Sequence, residues 1–107
     1  MYKVLIVEDD PMVTMINEQY VKKNKNFELV GKCSDGLSAL EFLEHNEVDL
    51  VIFLREPLSP KMHEPDVNNI VRLCDMHNIP LATNLATAEL LIKSLDRGDL
   101  EWREMYK

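Results

Sequence analysis

A three-layer α/β domain, with a parallel sheet covered by helices on both faces, is the fold class that three observations predict. Short apolar runs rich in β-branched residues recur along the chain, as at Val4-Leu5-Ile6-Val7 and Leu50-Val51-Ile52-Phe53. Uninterrupted runs of this kind suit strands buried on both faces. Segments of helical periodicity, each about ten to fifteen residues long, lie between them, and such alternation requires right-handed βαβ crossovers. The chain is 107 residues long with 46% apolar and 29% charged residues, enough for one domain with one ordinary core.

Val4 to Val7 form the first strand. Asp10 then offers a side-chain oxygen to a helix start and Pro11 suits its first turn, with Val13, Ile16, Tyr20 and Val21 recurring at helical spacing. A second strand runs from about Phe27 to Cys33. The helix after Gly36 carries Leu37, Leu40 and Leu43 on its apolar face, and Leu50 to Leu54 form the third strand. Prolines at 57 and 60 make residues 56–64 a loop at that strand's carboxyl end. Pro65 opens the next helix, whose buried stripe is Val67, Ile70, Val71 and Cys74. Ile79 to Thr83 make a fourth strand, with Pro80 tolerated at its start. Ala88, Leu91, Ile92 and Leu95 define the last helix, which Gly98 ends. The tail, Leu100 to Tyr106, is predicted as a short fifth edge strand, a final helical turn being the alternative.

In such a sheet a ligand site lies at the carboxyl ends of the strands, where strand order reverses, here between the first and third strands. That rule gathers Glu8, Asp9, Asp10, Leu54, Arg55 and Thr83 around one crevice. Arg55 is expected near the three carboxylates, its guanidinium partly standing in for a cation.

Bulk properties exclude several functions. A formal charge of -7 disfavours nucleic acid and anionic membranes, whose phosphates call for a basic face. No apolar run approaches a bilayer span and no secretory leader precedes the first strand, so a cytoplasmic location is expected. Cys33 and Cys74 are solitary and set in apolar patterns, as reduced core thiols would be. His45, His63 and His77 have no spacing that places two imidazoles on one helix face, so a zinc or iron site is not expected.

The run Lys3-Val-Leu-Ile-Val-Glu-Asp-Asp-Pro-Met-Val13, followed by Asn17, Tyr20, Val30-Gly31 and Asp35-Gly36, resembles response-regulator receiver domains, most of all the branch that answers to citrate and C4-dicarboxylates. The resemblance implies a flavodoxin-like or Rossmann-like sheet in strand order 2-1-3-4-5. It also implies an acidic pair, Glu8 and Asp9, that holds Mg²⁺ beside a phosphate-accepting aspartate. Leu54 occupies that acceptor position and can neither ligate a metal nor take a phosphoryl group.

From the third strand onward the sequence changes character. Val51-Ile-Phe-Leu-Arg-Glu-Pro-Leu58, His63-Glu-Pro-Asp-Val67, Arg72-Leu-Cys-Asp75 and Asn78-Ile-Pro-Leu-Ala-Thr-Asn-Leu-Ala-Thr-Ala88 are similar to the C-terminal half of methylglyoxal synthases, which eliminate phosphate from dihydroxyacetone phosphate. By that resemblance His63 and Asp66 help to bind and polarise the substrate. The family's catalytic aspartate, in a Gly-Pro-Leu-Gly-Gly-Asp segment, and its Thr-Gly-Thr-Thr phosphate turn do not occur in this chain.

The two resemblances divide one domain, 1–107, into a receiver-like fragment, 1–52, and a synthase-like fragment, 53–107. With the chemistry of both parents incomplete, the expectation is an engineered chimera that tests fragment recombination, neither an enzyme nor a phosphorelay protein. His63 and Asp66 are then vestigial, no cofactor and no partner are required, and the chain is expected as a monomer or as a dimer paired at an open sheet edge. One alternative is a degenerate receiver acting as a binding module, with a weak Mg²⁺ site at Glu8, Asp9 and Asp10. The other is residual phosphate or triose-phosphate binding at Thr83, Asn84 and Thr87.

Overall fold

The computed structural model describes residues 1–54 and 65–106. Four parallel strands, β1 (Tyr2–Val7), β2 (Phe27–Cys33), β3 (Leu50–Phe53) and β4 (Leu81–Ala82), form one sheet in the order β2-β1-β3-β4. Four α-helices connect them or follow: α1 (Pro11–Lys22), α2 (Gly36–His45), α3 (Pro65–Met76) and α4 (Leu85–Asp96). The predicted three-layer α/β architecture, flavodoxin-like in its order, is therefore observed.

Alternation along the central strands builds two cores. Val4 and Ile6 of β1 face one way with Leu50 and Ile52 of β3, packing under α1 (Val21) and α4 (Ala88, Ile92, Leu95). Leu5, Val7 and Val51 face the other way, under α2 (Ala39, Leu43) and α3 (Ile70, Cys74). Because both faces of β1 are covered, Val4, Leu5 and Ile6 are all fully buried. Parallel central strands tolerate such unbroken apolar runs for this reason.

Three expectations about elements are corrected. The predicted fifth strand is absent among the described residues: Glu101–Tyr106 form a 3₁₀ helix, tied by bonds from the Glu101 amide to the Gly98 carbonyl and from the Arg103 amide to the Leu100 carbonyl. Gly98, at φ 88, turns the chain out of α4, and the segment beyond it buries a charged residue, Arg103, which is 7% exposed. Its guanidinium donates to the Asn78 carbonyl at 3.0 Å and lies 3.5 Å from the Asp49 carboxylate. That anchor holds the segment as a compact turn against the strands' amino ends instead of along β4. The fourth strand is also shorter than predicted, since Pro80 has no N–H to donate and Asn84 already caps α4.

The third correction concerns α1, where Ile16 and Tyr20 are 57% and 44% exposed while Asn17 and Val21 are buried. The helix presents the line Asn17–Val21 to the sheet, so the polar Asn17 replaces an expected aliphatic contact. In α2 likewise Gly36, Ala39 and Leu43 are buried and Leu37 is exposed. Cys33 and Cys74 are free thiols, as expected, with Cys74 buried. Among the described residues no helix is long and apolar enough to cross a membrane.

Candidate functional site

Strand register assembles the crevice. Val7 pairs with Phe53, so the next residues, Glu8 and Leu54, leave neighbouring strands side by side. Ile52 pairs with Ala82, which puts Thr83 and Asn84 level with the same edge. Two strand spacings separate β1 from β4, so the acidic turn and the start of α4 stand about 10 Å apart, a span suited to a small metabolite.

Each wall of this crevice is a helix start with a side-chain cap. Asp10 accepts from the Met12 amide at 2.9 Å while its carbonyl accepts from Thr14, which fixes the turn after β1. Asn84 accepts from the Thr87 amide at 2.9 Å, and its carbonyl takes the Ala88 amide at 3.0 Å. The remaining first-turn amides of α4 carry the positive end of the helix dipole, a setting that favours anions. Asp35 does the same for α2 through the Ser38 amide at 2.7 Å, and that bond lowers its carboxyl below the ordinary range.

Glu8 is half-buried, and its amide donates to the Cys33 carbonyl at 2.9 Å, which holds the turn to β2. Burial raises its carboxyl above the ordinary value; the Asp10 amide at 3.1 Å opposes this and the neighbouring Asp9 adds to it. A carboxyl displaced in this direction moves toward the range of a general base. Glu8 and Asp10 thus each direct an oxygen to backbone. Among the described residues no group of three or more His, Cys, Asp or Glu is arranged to hold a metal ion. Beside the turn, Lys32 pairs with Glu18 at 3.0 Å, and Lys22 holds the other Glu18 oxygen at 2.8 Å, so the carboxyl of Glu18 is lowered by both lysines.

Leu54 packs against the core cluster under α1 and α4. Thr83 is half-buried at the end of β4 and Thr87 half-buried in the first turn of α4. Arg55 and His63 lie outside the described residues. Asp66 falls in the first turn of α3, and its side chain also lies outside them. Sequence reading missed the caps at Asp35 and Asn84, although the pattern of a short polar residue just before an apolar helix could have marked both.

A four-stranded parallel α/β sheet with its crevice at the carboxyl edge defines the class, and a solved structure of this class is close in shape. SdrG from Pseudomonas melonis Fr1, in its BeF3-activated conformation, superposes with a TM-score of 0.58 over 74% of this chain and 63% of that one, at 23% identity. That likeness concerns the fold alone. The sequence profile of the MGS-like domain matches residues 12–83, and the chain belongs to that family. A methylglyoxal synthase of Caldicellulosiruptor saccharolyticus is 70% identical over 63 residues, covering 59% of this chain and 45% of the relative. One from Alkaliphilus metalliredigens is 57% identical over 65 residues, covering 61% and 48%. The chain thus spans about half the length of the curated relatives it matches.

These findings overturn the expectation of an engineered, inactive chimera that is no enzyme. Identity of 70% over 63 residues to a named synthase, and a family match that spans residues 12–83, across the supposed junction at 52 and 53, point to a natural member of the MGS-like domain family.

Proposed function

We propose that this chain is a carbon–oxygen lyase domain of the methylglyoxal synthase type, acting on a phosphorylated triose, dihydroxyacetone phosphate. The supporting observation is the 70% identity over 63 residues to a methylglyoxal synthase, in a chain whose sheet gathers an anion-favouring helix start and a raised carboxyl at one edge. In this reading the phosphate lies against the first turn of α4, among the amides behind Asn84 and the hydroxyls of Thr83 and Thr87. His63 and Asp66, matched by resemblance, polarise the substrate carbonyl.

The reaction is redox-neutral and requires no cofactor. A base removes a proton from the hydroxymethyl carbon and the electron pair moves to the carbonyl oxygen, which takes up a proton to give the enediol; loss of the terminal hydroxyl proton then sends an electron pair back through the double bond, breaking the C–O bond to phosphate. Inorganic phosphate leaves, and the remaining enol tautomerises to methylglyoxal. In this reading Glu8 is the base of the first step, and its partial burial, which raises its carboxyl, supports that role.

Methylglyoxal and inorganic phosphate should form in equal amounts when the purified chain meets millimolar dihydroxyacetone phosphate. Glu8→Gln should lower kcat by about a hundredfold or more, whereas Asn84→Ala should chiefly raise KM. Product no greater than in buffer alone, together with no amide shifts at residues 84–88 on addition of the triose phosphate, would remove the proposal.

A further inference from the structure

We draw no further inference here: the strongest candidate, the open depression between the carboxyl ends of α2 and α3, which His45 and His77 line together with Leu43, Val48, Leu73 and Ile79, carries nothing because no feature of the structure shows what covers it.

Discussion

Asp49 and Arg103 should respond to truncation very unequally, although they form one ion pair. Arg103 is 7% and Asp49 15% exposed at the side chain, and the pair joins the C-terminal 3₁₀ helix to the start of β3. Asp49 has a second task, because its other carboxylate oxygen accepts the Lys3 amide at 2.8 Å while its own amide donates to the Lys3 carbonyl at 2.7 Å. Asp49→Ala would strand a buried guanidinium whose Nε already lacks a partner, and would orphan the Lys3 amide as well. Breaking a buried pair from one side costs about 3–5 kcal/mol. Arg103→Met removes the charge together with its desolvation penalty, keeps the apolar stem's volume, and leaves Asp49 bonded to Lys3. Its cost should be about 0–2 kcal/mol. Urea melts of the two variants and the double variant measure this, with a coupling of about 0.5–3 kcal/mol expected between the sites. In thermal scans Asp49→Ala should lower Tm by ~12 °C or more. If Arg103→Met proves as costly as Asp49→Ala, or the coupling is zero, the tail is not held by this pair and the account of the missing fifth strand fails.

Gly31→Ala should cost about 1–3 kcal/mol in urea melts, because a Cβ there would lie 2.9 Å from two Phe42 ring carbons and 3.1 Å from Leu5 Cδ1. Adding Phe42→Leu should recover part of it. Glu8 gives a pH test: its folded carboxyl is raised, chiefly by burial, so its contribution to stability is complete below the ordinary value of 4.5 and is lost as pH rises through the folded value. Glu8→Gln should therefore raise Tm at pH 7 and lose that advantage in scans near pH 4; an advantage constant with pH would refute the assignment. Cys74 is 1% exposed and its thiol is pushed up to about 11 by burial, so iodoacetamide at pH 8 should leave it intact in the native protein and modify Cys33 first. Peptide mapping after brief alkylation reads the order.

The sequence by itself determined the architecture, because strand identity and helix periodicity are local. Val4 to Val7 and Leu50 to Phe53 are apolar at every position, which only a strand covered on both faces tolerates, and Asp10-Pro11 marks a helix start in any context. From those elements the order reversal between β1 and β3 and the site at the carboxyl edge follow. Periodicity could not settle how each helix turns about its axis. Ile16 and Tyr20 obey helical spacing as well as Asn17 and Val21 do, and the choice falls to the neighbouring α4 and the strands beneath, so an asparagine is buried and two large apolar residues are left exposed. Arg103 makes the same point at the tail. Leu100 to Tyr106 were expected as a short edge strand, with a final helical turn as the alternative, but the acceptors that capture the guanidinium come from Asp49 and Asn78, dozens of residues away in sequence. Long-range partners of this kind exist only once the chain has folded, and here they decided the fate of the last segment.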